Sequence, residues 1–172
     1  MCYYIIVASD QPLPLRQPAK GERAFSIWPL IEDHPARRWL SKPFVVEFGA
    51  RTGCACGLNF ALNYEVELGI DPEFNEELTP ETWKEYVLEY EADKECLVEY
   101  FAYLRTALTV SDLEWYCCWE GEWKAPPGRR LVKSPADLEK EPDFQKDYPL
   151  ESGLLIEYKK NTRSLTSTSR PA

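Results

Sequence analysis

Thr52-Gly53-Cys54-Ala55-Cys56-Gly57 is the string in this chain whose residue types and spacing come nearest to chemistry. Two cysteines one residue apart in an extended turn point to the same side. Flanking glycines let backbone approach them closely. Two thiolates so placed suit one soft metal, zinc above all, or a strained redox pair. A closed zinc site needs four ligands, and Cys54 and Cys56 supply two. Cys2, Cys96 or His34 would have to complete the set, with at most one of Cys117 and Cys118, which lie on opposite faces of one strand. No second paired spacing of the zinc-module kind is present. The same residues also suit a purely structural turn, with glycines shaping the bend and small thiols filling buried sites.

A catalytic thiol would need a base. His34 is the one histidine, and nothing in the sequence brings it to Cys54 or Cys56. Asp33-His34-Pro35 is equally well explained as a polar helix start. No phosphate loop, serine elbow or histidine-rich metal motif is found. With no complete catalytic set, the chain reads as non-enzymatic and without a cofactor, the thiol–zinc alternative aside.

Charge is the second feature. The formal net charge is −9, and it is unevenly spread. Between Glu65 and Glu99 stand 13 acidic residues and two lysines, a net −11. From Arg16 to Lys42 the balance is +3, and the last 14 residues carry four bases and no acid. Nucleic acid and anionic membrane are poor partners for such a surface, because phosphate binding needs Lys and Arg. A basic protein partner is favoured, and the field would speed its encounter. The plain reading of the run is a solvated helix face. Glu85, Glu89 and Glu95 are the acids best placed to meet a partner. Trp119 and Trp123 flank a Glu-Gly-Glu turn and are the aromatic interface candidates, since Trp and Tyr dominate interface hot spots.

These residues must be positioned by ordinary elements. Residues 3–8 are a continuous apolar run rich in β-formers and predict a buried central strand. Pro12, Pro14 and Pro18 predict a loop. Residues 25–31, interrupted by Pro29, predict a short edge strand. Asp33 predicts the cap of a short helix reaching about Ser41. Residues 44–48 predict a strand, and the period-two alternation of 58–64 predicts its hairpin partner across the cysteine turn.

The strongest pattern is helical. Thr79 is a capping type, Pro80 suits the first helical position, and Glu81 favours the positive helix end. Trp83, Val87, Tyr90, Leu97, Phe101, Leu104 and Leu108 fall on one stripe. That predicts a helix over about 80–108 with an acidic opposite face. Residues 113–119 predict another central strand, apolar on both faces. Gly121 sits where a turn needs it. Residues 126–128 read as a loop, Ser134-Pro135-Ala136-Asp137 as a second helix start, and 154–158 as a final strand.

The chain has 172 residues, 44% of them apolar and 28% charged, the composition of a globular protein with a core of its own. No apolar run reaches the ~18 residues of a membrane helix. The first nine residues lack the basic start of a secretory signal, which makes the cytoplasm the expected compartment. The expected fold is α+β, a mostly antiparallel sheet packed on one long helix with one or two short helices. Residues 1–158 are expected to form one domain and 159–172 a disordered polar, basic tail. The functional expectation is a protein–protein interaction protein, of the inhibitor or immunity type, for a basic partner. A thiol metal or redox protein built on Cys54 and Cys56 is the alternative.

Overall fold

The computed structural model describes residues 2–19, 22, 24–50, 55–56, 79–139 and 152–160, with backbone alone at 80, 86, 89, 90 and 139. These residues form an α+β fold. In chain order come β1 (Tyr3–Ser9), β2 (Ser26–Pro29), a 3-10 turn (Pro35–Trp39), β3 (Phe44–Gly49), α1 (Pro80–Ala107), β4 (Leu113–Trp119), a second 3-10 turn (Glu122–Lys124), β5 (Arg129–Lys133), α2 (Ala136–Glu139) and β6 (Leu154–Tyr158). The strands make one six-stranded sheet in the order β2-β3-β1-β4-β6-β5. All neighbours are antiparallel except β5 and β6, which are parallel.

The two central strands are the two continuous apolar runs. Ile5, Ile6, Val7 and Ala8 of β1 are all buried, as are Leu113 to Cys118 of β4, because both sheet faces are covered there. Ile5 pairs with Cys117 on one side and Phe48 on the other.

One face of the sheet lies under α1. The Thr79 hydroxyl accepts from the Thr82 amide at 3.2 Å and Pro80 opens the first turn. Leu97, Phe101, Leu104 and Leu108 bury as the stripe predicts, joined by Cys96, Tyr100 and Ala107. They pack on Ile5, Val7, Phe48, Trp115 and Ile156 in one cluster. Lys94 does not interrupt the helix, which runs unbroken for 28 residues with that side chain exposed. The opposite sheet face is covered by the two 3-10 turns. Ile6, Ala8, Val45, Tyr116 and Leu155 there meet Leu30 and Ala36, with Tyr4, Trp39 and Trp123 at the margin.

Several expectations are corrected. His34, not Asp33, caps the first 3-10 turn: its Nδ1 accepts from the Ala36 amide at 3.2 Å. Both sides of β3 are taken, by β1 and β2, so no third strand can pair alongside it as the hairpin expectation required. Residues 58–64 themselves lie outside the described residues. β5 occupies a segment next to the 126–128 loop with no predicted strand. Lys159 and Lys160, expected in the tail, are fixed: the Lys159 amide donates to Lys133 O and the Lys160 amide to Asp112 Oδ1. The rest of that tail lies outside the described residues. No helix among the described residues is long and apolar enough to cross a membrane.

Candidate functional site

The α1 stripe that buries its apolar side presents the other side to water. Exposed positions run Glu81, Lys84, Glu85, Leu88, Glu91, Glu95, Val98, Glu99 and Ala102, the three-to-four spacing of a single helix face. Leu88 is 50% exposed and Val98 60%. They stand ten residues apart, about 15 Å along the axis. Glu91, Lys94, Glu95, Val98 and Glu99 line a shallow groove on this face. One rim is pinned, as Arg16 Nη1 donates to Glu99 Oε2 at 3.0 Å while its guanidinium lies over the Phe25 ring at 4.5 Å. Glu85 and Glu95 are therefore on one exposed face. The Glu89 side chain lies outside the described residues. Leu88 and Val98 were not singled out from sequence, since each looked like one more residue of an amphipathic helix.

The two tryptophans are placed elsewhere and do not join this face. Trp119 is half-buried against the α1-side core, its ring 5.0 Å from Tyr3 edge to face. Its amide donates to Glu122 Oε2 at 2.8 Å and to Ser152 Oγ at 3.1 Å. Trp123 belongs to the opposite sheet face. Its ring meets Tyr4 at 4.6 Å and His34 at 4.8 Å, and its carbonyl accepts from Trp39 Nε1 at 2.8 Å and Arg38 Nη2 at 3.1 Å. Gly121, with φ +91°, makes the turn that carries Trp123 back over the sheet.

Of the thiol pair, Cys54 lies outside the described residues. Cys56 is half-buried at the edge of the main core, with its Sγ accepting from the Tyr3 amide at 3.2 Å. Cys96, Cys117 and Cys118 are buried. Burial pushes the Cys118 thiol up to about 12, and the Cys117 thiol higher still despite the Trp115 Nε1 donor 2.7 Å from its sulfur. Burial thus holds both as protonated thiols at neutral pH. Among the described residues no three His, Cys, Asp or Glu side chains converge as a metal site would require.

Glu47 and His34, also on the second sheet face, are perturbed as well. Burial raises the Glu47 carboxyl above its ordinary range, partly offset by a hydrogen bond from Trp28. Burial, and then the charge of Arg37, lower His34 against the opposing pull of Asp33. His34 is bound to its own turn and ringed by Tyr4 and Trp123, and no described thiol or hydroxyl nucleophile hydrogen-bonds to it. Comparison of the chain with protein-family models, with curated proteins and with solved structures finds no match in any of the three.

Proposed function

We propose that the chain is a non-enzymatic interaction protein that docks a basic protein partner on the outer face of α1, in the manner of an inhibitor or immunity protein. The observation that carries this reading is the pair Leu88 and Val98, exposed within a field of Glu81, Glu85, Glu91, Glu95 and Glu99. Two apolar side chains about 15 Å apart, with acids between and around them, offer a partner two contact points, while the charges set its orientation and encounter rate. Among the described residues, Lys84 and Lys94 of α1 and Arg16, paired with Glu99, are bases set among these acids. A partner presenting a Lys/Arg surface around an apolar contact is the complementary shape.

The test uses a partner captured with the wild-type chain and then purified. Its association rate should fall steeply as salt rises, because the long-range field is screened. Glu85→Lys with Glu95→Lys should slow association at least tenfold, and Leu88→Ala should speed dissociation. A rate indifferent both to salt and to the two reversals would remove the acidic face from the argument.

A second reading rests on the half-buried Cys56, whose Sγ accepts from the Tyr3 amide at 3.2 Å. In it, Cys54 and Cys56 are a soft-metal or redox pair. Elemental analysis after purification without chelator should then give about one equivalent of zinc, or mild oxidation should link one of them to a third cysteine. Neither metal nor linkage would leave Cys56 a packing residue.

A further inference from the structure

The two edges of the sheet are finished differently. On β2, the Leu30 amide donates to Val45 O, toward β3, so alternation turns Ile27 and Pro29 outward. Ile27 is closed off: its amide donates to Arg16 O at 2.8 Å and its carbonyl accepts from the Arg16 amide at 3.1 Å. Pro29 has no N–H to offer. Both are the usual ways of blunting an edge.

On β5, the Arg129 amide donates to Gly153 O and Lys133 O accepts from the Lys159 amide, both on the β6 side. Alternation therefore turns the N–H and C=O of Arg130 and Val132 outward. Among the described residues neither strand-edge group has a partner. Val132 is 71% exposed, the most exposed large apolar residue described, and Arg129 and Arg130 are exposed beside it. The Arg130 guanidinium reaches Trp39 O only at 3.5 Å, which leaves most of its donors toward water.

We propose that the outer edge of β5 is a docking strand for an extended acidic segment of another protein, which adds to the sheet through main-chain hydrogen bonds to Arg130 and Val132. An open edge supplies the affinity of such strand addition and the flanking side chains supply its choice of partner. Here the side chains are Arg129, Arg130 and Lys133 around one exposed valine. Those charges select against a second copy. An antiparallel pair of two β5 strands centred on Leu131 would set Arg129 against Lys133 of the other copy at both ends, and like charges directly opposite destabilise a ladder. A segment alternating acids with β-branched residues meets the same charges favourably. This edge is basic and lies apart from the acidic face of α1, so the two proposals stand or fall separately.

The probe is a fluorescein-labelled heptapeptide of alternating glutamate and valine, titrated against the full chain by anisotropy. Saturable binding is expected. Val132→Pro removes one outward N–H while the ladder to β6, made by residues 129, 131 and 133, is kept, and should weaken binding roughly tenfold, the worth of a hydrogen bond or two. N-methylation of alternate peptide amides should do the same with the protein untouched, which guards against a folding defect in the variant. Arg130→Glu should weaken the glutamate peptide and strengthen one with lysine in its place. Equal binding of the glutamate and lysine peptides, or binding that survives both Val132→Pro and N-methylation, would overturn the proposal. So would no binding at all, or a sedimentation dimer that Val132→Pro abolishes, since the occupant would then be a second copy.

Discussion

Glu114 reaches from the central strand β4 to Ser41, accepting from both its amide, at 2.7 Å, and its hydroxyl. The same carboxylate accepts from the Lys42 amide at 3.3 Å. Glu114 is 4% exposed, so a charged group has been taken almost wholly out of water. It is tolerated because donors surround it. The result is a clamp between the end of the first 3-10 segment and the middle of the sheet, and it holds that segment over the second face. Glu114→Ala should destabilise by about 2–3 kcal/mol, the range for hydrogen bonds to a buried charge. Glu114→Gln should recover part of it. Urea melts of the two variants measure both, and an alanine variant as stable as wild type would show that the clamp carries no net energy.

Tyr100 presents the opposite case. It is fully buried among Phe25, Phe48, Phe101 and Trp115, yet its hydroxyl has no hydrogen-bond partner among the described residues. A hydroxyl stripped of water without replacement opposes folding. Tyr100→Phe should therefore stabilise by about 1 kcal/mol, a rise in melting temperature of roughly 2–4 °C at this chain length. A fall in melting temperature would show that the hydroxyl has a bound partner in solution.

Glu47 and His34 tilt stability with pH in opposite senses. Burial holds the Glu47 proton on in the fold at a pH where the unfolded chain has released it. Its contribution is thus most favourable below the ordinary carboxylate range and is lost as pH rises through the folded-state value. Glu47→Gln, which can still accept from Trp28, should be more stable than wild type at pH 8 and should lose that advantage at pH 4. An advantage of equal size at both pH values would refute the burial argument.

His34 is a base whose affinity for a proton is lowered in the fold, chiefly by burial. The unfolded chain takes up the proton first as pH falls, so this contribution is present above about 6.5 and is lost below it. Arg37 lowers it further, and Nδ1 meanwhile accepts from the Ala36 amide in the cap. His34→Asn keeps an acceptor that does not titrate. Its stability should change less than that of wild type between pH 7 and 5.5. Equal pH dependence of the two proteins would move the titrating group elsewhere.

The parts of the fold that could be read from sequence are those whose burial is written as a pattern. β1 and β4 are apolar on both faces, and α1 repeats at helical spacing from a capped start, so their bounds fall within a residue or so of expectation. Pro29 marked β2 as an edge for the reason the structure gives, the missing N–H. β5 escaped because Arg-Arg-Leu-Val-Lys buries little: Leu131 alone packs on the core, and an edge strand held by a parallel neighbour needs no apolar alternation. The tryptophans misled in their grouping. Trp119 and Trp123 are four residues apart, yet the Gly121 turn sends them to opposite faces of the sheet, and no local pattern reports that reversal. On the acidic face, the glutamates could be read directly. Leu88 and Val98 could not, because exposure depends on where the helix is laid down.

The helix-on-sheet packing itself is tested by two residues one turn apart on α1. Phe101 is 3% exposed, with its ring 5.4 Å from Tyr100 and 5.6 Å from Trp115. Val98 is 60% exposed. Both are apolar; Phe101 is buried against the sheet and Val98 stands in water, so the alanine change opens a cavity only at Phe101. Phe101→Ala should destabilise by about 3–5 kcal/mol, from lost transfer energy and the cavity left beside Trp115. Val98→Ala should stay within roughly 0.5 kcal/mol, because water already reaches the side chain and alanine is the better helix former. Paired urea melts give both numbers in one experiment. Similar losses for the two variants, or a larger loss at Val98, would mean that α1 is rotated about its axis relative to the sheet. The acidic face would then be buried, and the docking surface built on Leu88 and Val98 would fail with it.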